Sequence, residues 1–150
     1  MYITVDTATF SLGEGVILLY SGIAYPIKQG RKGLLSVESD IQLIEGNIIQ
    51  ILGTRRGERV MLPLFGSRIL DFIHEPLDHI TCALLRFELI NAISMWEHRI
   101  SLDHKNTTIT PYPEDFRVKA SLRYYLKTYN QNQNLVLEIN REEGVSRWLD

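Results

Sequence analysis

Residues 117–139, RVKASLRYYLKTYNQNQNLVLEI, alternate apolar and polar side chains with a period of two. Val118, Ala120, Leu122, Tyr124 and Leu126 fall on one side, and Lys119, Ser121, Arg123, Tyr125 and Lys127 on the other. Successive side chains of a strand point to opposite faces, so this spacing predicts a strand over Arg117–Tyr129. Asn130–Asn134 reads as a turn, and Leu135, Leu137 and Ile139 bring a second strand back over Leu135–Asn140. A hairpin of this kind has backbone edges able to accept a strand from another chain.

Working outward, Ile100–Asp103 and Thr107–Thr110 read as short strands around the turn-prone His104-Lys105-Asn106. Before them the period becomes helical. Asp78 is placed to cap a helix, in which Ile80, Leu84, Phe87, Asn91 and Ser94 follow one face. Leu85, Leu89, Ala92, Ile93 and Trp96 follow a neighbouring face, and so wide an apolar surface predicts a central helix covered on more than one side. An earlier helix is expected from Ser39, which with Gln42 makes a capping-box pair, through Ile41, Ile44, Ile48 and Ile51 or Leu52 to a stop at Gly53. Residues 1–35 read as short strands or an extended arm. The fold class is α+β, with two main helices packed on a mainly antiparallel C-terminal sheet that ends in a β-hairpin. The expected organisation is an N-terminal extension (1–23), a main domain (24–140) and a C-terminal tail (141–150) whose Trp148 and Leu149 could anchor a neighbour.

Between the two helices lies ILGTRRGERVMLPLFGSRILDFIHEP, residues 51–76. A polar connection does not need Met61, Leu62, Leu64, Phe65, Ile69, Leu70, Phe72 and Ile73, so this loop must pack on its own domain or be covered by a partner.

Composition narrows the function. With 150 residues, 45% apolar and 23% charged, the chain has the length and make-up of one globular domain. A net charge of -2 gives no global attraction to nucleic acid or an anionic membrane. The basic groups Arg31-Lys32, then Arg55, Arg56 and Arg59, then Lys119, Arg123 and Lys127 have acidic neighbours and read as ion-paired or solvated surface. A single cysteine, Cys82, excludes an intramolecular disulfide and reads as a buried thiol. The start, MYITVDTATFSLGEG, has neither the charge nor the apolar run of a secretory signal, and Val16–Tyr20 is too short to span a bilayer, so assembly in the cytoplasm is expected.

Chemical motifs are weak. His74 and His79 are five apart and no cysteine pair joins them, so no metal is expected. Glu58 and Glu75 could serve as acid and base in glycoside hydrolysis, but glutamates beside Arg55, Arg59 or Arg68 read better as structural ion pairs. No nucleophile elbow and no phosphate-binding glycine loop occurs, and no cofactor is expected. In Trp96-Glu97-His98-Arg99, Glu97 and Arg99 read equally well as surface charges or as a charged lock, either to a partner or as a buried pair at the helix–sheet junction.

The segment TRRGERVMLPLFGSRILDFIHEP, with AYPIKQGRKGLLSVESDIQLIEGNIIQIL before it and INAISMWEHRI after it, resembles the baseplate wedge and sheath-initiator family of contractile tails. Thr54, Gly57, Glu58, Arg59, Met61, Pro63 and Gly66 carry the resemblance, with Glu75-Pro76, and it runs from about Ala24 to Ile139. Members include a T-even phage wedge protein once labelled a tail lysozyme, and counterparts in extracellular injection systems and type VI secretion. The family's Glu-Pro-Arg is here Glu97-His98-Arg99, and loss of the proline predicts a helix that runs on further. The resemblance implies a non-enzymatic baseplate part, present in several copies around the tail axis. Its implied partners are other wedge proteins, the tail sheath subunit, and inner tube or hub proteins, with no nucleic acid and no membrane insertion. Partner contacts are expected at Arg55, Glu58, Arg59, Phe65, Glu75, Glu97, Arg99, Arg123, Tyr125 and Trp148. The alternatives are a regulatory anti-adapter of similar fold and a peptidoglycan-cleaving lysozyme.

Overall fold

The computed structural model describes residues 20–30, 33–72, 75–115, 117–128, 131–140 and 144–147. Trp148, Leu149, Ile73, His74, Tyr129 and the first nineteen residues lie outside that set. The chain divides into two compact units, Met1–Asn47 and Ile48–Asp150.

In the first unit, β1 (Ser21–Ile23) pairs antiparallel with β2 (Val37–Ser39), Ser21 opposite Ser39. Helix α1 (Asp40–Gly53) follows β2 directly. The expected Ser39–Gln42 cap does not form: Ser39 is the last residue of β2 and the helix starts at Asp40, in the left-handed region at φ 46°. Aspartate tolerates that conformation better than most residues. Here it is held from outside the helix, since Asp40 N–H donates to Tyr20 O (3.0 Å) and Asp40 Oδ1 accepts from Tyr20 N–H (3.2 Å). Ala24, Leu43 and Ile44 are buried, whereas Ile23, Ile27 and Leu35 are exposed.

The second unit holds the rest of α1, then α2 (Ile69–Phe72), α3 (His79–Trp96) and a five-stranded antiparallel sheet. Its strands are β3 (Ile100–Leu102), β4 (Thr108–Tyr112), β5 (Arg117–Leu126), β6 (Gln131–Asn140) and β7 (Gly144–Arg147). The α+β class is as read from the alternation. Val118, Ala120, Leu122, Tyr124 and Leu126 are all buried, with Leu135, Leu137 and Ile139 opposite them on β6. Helix α3 packs against β3, β4 and α2, with Leu85, Leu89, Ala92 and Ile93 in the core. Asp78 caps it as expected, its Oδ1 accepting from Thr81 N–H at 2.7 Å, and this bond holds the Asp78 carboxyl below its ordinary range.

Three expectations change. The second hairpin strand begins at Gln131 rather than Leu135, because β5 offers backbone partners as far as Leu126, and Asn132, Gln133 and Asn134 pair with Tyr125, Tyr124 and Arg123. Within the C-terminal segment, Gly144–Arg147 pairs with Asn140–Leu137 of β6. And α3 is covered on one side only: Ile80, Leu84 and Phe87 are exposed.

The register decides which edges are free. β5 is interior, with β6 along one side and both β3 and β4 along the other. β6 is covered by β7 only from Leu137 to Asn140, so among the described residues nothing pairs with the outer side of Gln131–Val136. At the opposite edge, β4 contains Pro111 and is followed by Pro113. Proline has no N–H to give a ladder and is confined to sheet edges, where it discourages further pairing.

Candidate functional site

The loop Thr54–Arg68 is built on its own backbone. Thr54 O accepts from Ser67 N–H at 2.9 Å, Gly57 N–H donates to Pro63 O at 2.7 Å, and Phe65 N–H donates to Leu62 O at 3.0 Å. Ser67 Oγ donates to Leu52 O at 2.8 Å, which ties the neck to the end of α1. At the neck Gly66 has φ +103°, and a Cβ there would lie 2.2 Å from Thr54 O, so only glycine fits. The loop is a compact Ω-type turn closed at its neck by these bonds.

Two contacts lay this loop along α3. Arg56 pairs with Glu88 at 2.7 Å, and Glu88 also accepts from the Arg68 N–H at 3.3 Å. Further along, Arg59 lies 3.8 Å above the Phe65 ring, and Phe65 meets Trp96 with centroids 5.1 Å apart. A guanidinium over an aromatic face is attracted by the ring quadrupole. The loop tip between these fixings is left bare: Val60 is 93% exposed, Met61 91% and Leu64 71%. Large apolar side chains held so far into solvent by a loop closed on its own backbone are the mark of a contact surface.

Trp96 connects the loop to a second feature, the junction of α3 with the sheet. Glu97 is 4% exposed, and its carboxylate takes a forked pair of bonds from Arg99, one of them Nε to Oε1 at 2.6 Å. The Arg99 N–H also reaches Oε1 at 3.3 Å. This grip ends α3 at Trp96, with Glu97 as C-cap at φ −113°, so the helix does not run on despite His98 standing in place of proline. Lys127 then ties the junction to β5, its N–H donating to Arg99 O (3.2 Å) and its Nζ to His98 O (2.9 Å). Of the two readings of Glu97 and Arg99, the geometry is that of a buried pair within the chain, where a bidentate bond compensates a carboxylate that burial alone would disfavour.

Arg55, Glu58, Arg59 and Phe65 thus share one loop, and Glu97 and Arg99 share the corner that Trp96 joins to it. The expected ion pairs of Glu58 are replaced by a backbone bond, Arg55 N–H to Glu58 Oε2 at 2.9 Å. Glu75 is exposed and stands apart before α3, Arg123 is exposed on the outer sheet face, and Tyr125 is half-buried between Ser101 and Asn132. Sequence reasoning missed the exposure of Ile80, Leu84 and Phe87, and no signal marked it, since their row is as apolar and uncharged as the buried row beside it. Cys82 is half-buried rather than buried as expected, and what burial it has pushes its thiol up and lowers the thiolate fraction. Among the described residues no His, Cys, Asp and Glu group could hold a metal, and no helix is long and apolar enough to cross a membrane.

The family model described as baseplate wedge protein gp25 matches residues 38–131, more than half of the chain. Among solved structures, the chain is similar to a Geobacter sulfurreducens protein provisionally named a tail lysozyme, at 32% identity, TM-score 0.56, over 71% of this chain and 89% of that one. The fold also recurs in a chain of the anti-feeding prophage baseplate (22% identity, TM-score 0.63, covering 71% and 85%). A third likeness is to a chain of the postcontracted pyocin R2 baseplate (24%, TM-score 0.53, covering 67% and 98%). No curated protein matches significantly. The chain therefore belongs to the baseplate wedge protein gp25 family and is a structural baseplate component.

Proposed function

We propose that the chain links neighbouring wedge subunits through its loop and starts the sheath by strand addition, and that it catalyses no reaction. The observation that carries this reading is that, among the described residues, nothing pairs with the outer side of Gln131–Val136 on β6. A strand laid against Gln131–Val136 would find main-chain donors and acceptors already spaced for it, which fixes register without needing a deep pocket. Sheath initiation is assigned to this edge, and inner tube or hub proteins are the further neighbours. Wedge binding is assigned to the Met61 tip with Arg55, Glu58, Arg59 and Phe65 behind it, and Glu75, Arg123, Tyr125 and Trp148 remain contacts of the assembled state. Glu97 and Arg99 act by holding the corner in shape. Several copies are arranged around the tail axis after assembly in the cytoplasm, with no nucleic acid and no membrane as partner.

Against hydrolysis, the carboxylates near the loop already have structural work: Glu58 closes a turn, Glu88 holds Arg56, and Glu97 holds Arg99.

The test is amide exchange with the sheath and tube subunits co-expressed. In the free protein the amides of Gln131–Val136 that face away from β5 should exchange fast, and in the assembled particle they should become protected. Lysines at Asn132 and Asn134, both exposed, should leave the fold intact and suppress sheath growth. Full-length sheaths with this edge still exchanging freely would refute the reading.

A further inference from the structure

A further edge of the sheet lies on β3. Asp103 N–H donates to Arg123 O at 2.8 Å and Lys127 N–H donates to Arg99 O at 3.2 Å, so Arg99, Ser101 and Asp103 turn their backbone groups toward β5. In an antiparallel ladder the residues between them turn their N–H and C=O groups the other way. Those residues are Ile100 and Leu102, and among the described residues nothing pairs with that side of β3. Pro111 blunts β4, but the Ile-Ser-Leu of β3 has neither proline nor charge, two devices that keep an edge from accepting a strand.

A cleft of about 190 Å³ opens beside this edge, lined by all three residues of β3 and by Ile93 and Ser94 of α3. No residue of β5 lines it, so it lies on the unpaired side. Sites that enclose a small molecule run to about 300–1,000 Å³, so this one suits a side chain of a partner better than a free metabolite. Its charge has one sign. Glu97 is neutralised by the forked bonds from Arg99. Asp103, in the turn after β3, gives its oxygens to Lys105 N–H and to Asn106. What remains are Lys127 and the exposed imidazoles of His98 and His104. Lys127 Nζ gives one hydrogen to His98 O at 2.9 Å and keeps two, and an imidazole offers an N–H whether neutral or charged.

We infer that the unpaired side of β3 binds an extended acidic segment of another protein. Its backbone pairs with Ile100 and Leu102, and its carboxylates meet Lys127, His98 and His104. Strand addition gives main-chain bonds, and the flanking side chains choose the sequence that is added. A helix would leave the groups of Ile100 and Leu102 unmatched, because its own backbone bonds are internal. Charge selects against a second copy of this chain. Its described strands carry one acid each at most, Glu38 in β2 and Glu138 in β6, and Glu138 already holds Arg117 at 3.4 Å.

The experiment titrates the isotope-labelled full chain with an acetylated peptide alternating valine and aspartate, followed by amide resonances. A valine–lysine counterpart and a fully N-methylated version of the acidic peptide serve as comparisons. Expected are shifts at the Ile100 and Leu102 amides with the acidic peptide, bound about tenfold tighter than the lysine one, and none with the N-methylated version. Lys127→Met should keep the parent's circular dichroism spectrum, its side chain being exposed, and weaken acidic-peptide binding about threefold. The peptide comparisons use the parent chain and decide the matter even if that variant misfolds. Shifts confined to Gln131–Val136, equal affinity for the acidic and lysine peptides, or shifts retained after N-methylation overturn the site. So does a folded Lys127→Met of unchanged affinity, or no shift at millimolar peptide. The loop tip and the β6 edge take no part, so any of these results leaves the proposed function standing.

Discussion

Replacing Gly66 by alanine isolates what the neck of the loop contributes. The added Cβ would sit 2.2 Å from Thr54 O and 2.9 Å from Thr54 C, both backbone atoms that no rotamer change can move aside. The same carbonyl accepts the Ser67 N–H at 2.9 Å, so relieving the clash breaks the bond that closes the loop. Forcing a non-glycine residue into a φ of +103° costs about 1–3 kcal/mol. Losing the buried closing bond adds about 1 kcal/mol. Together Gly66→Ala should lose about 3 kcal/mol, or roughly 6–12 °C in melting temperature for a chain of this size. Gly57→Ala is the control: it has a comparable φ of +88° but open space around its Cβ, so it should lose only about 1 kcal/mol. Urea unfolding of both variants, followed by circular dichroism, reads the difference, and amide exchange at Ser67 tells whether the neck has opened. Equal losses for the two alanines, with the Ser67 amide still protected, would refute the reasoning.

Arg99→Ala should destabilise by about 3 kcal/mol, because it leaves a buried carboxylate without its compensating charge. Glu97→Gln combined with Arg99→Met should recover much of that loss in a urea double-mutant cycle, and strictly additive losses would contradict the buried pair. Asp78 is held below its unfolded pKa by the Thr81 N–H, so its capping contribution is complete above about pH 4 and fades as acid protonates the folded carboxyl. Melts between pH 2 and 6 should therefore show the parent's advantage over Asp78→Ala shrinking toward low pH; a constant gap would exclude the cap. Cys82, with its thiol pushed up by burial, should alkylate with iodoacetamide more slowly at pH 8 than a free cysteine peptide, and an equal rate would show the thiol to be exposed.

Alternation made the core face of β5 and the return strand readable, since five buried side chains in a row of ten leave little choice of register. The start of α3 was equally plain from Asp78. The first four residues of β6 were not, because Gln131–Asn134 have weak strand preference and are paired only because β5 extends opposite them. At α1, two local signals competed: Ser39 looks like a cap, but β1 claims it for a strand and Tyr20 fixes Asp40 instead. Periodicity located the rows of α3 but could not say which were covered, since an apolar row facing a partner has the same spacing as one facing the core. The site was half legible. The loop stood out by its apolar content, whereas its fastening through Arg56 to Glu88 and Phe65 to Trp96 joins residues too far apart in sequence to be paired by eye.

Pro111 gives the sheet a polarity of purpose. One flank carries a residue that cannot complete a ladder, and on the other, among the described residues, nothing pairs with Gln131–Val136 of β6. On the proposed reading, a layer of subunits begun on this sheet would be recruited from the β6 flank, and two such sheets would be discouraged from pairing through their β4 sides. Direction in the finished tube would then be inherited from the asymmetry of one small sheet.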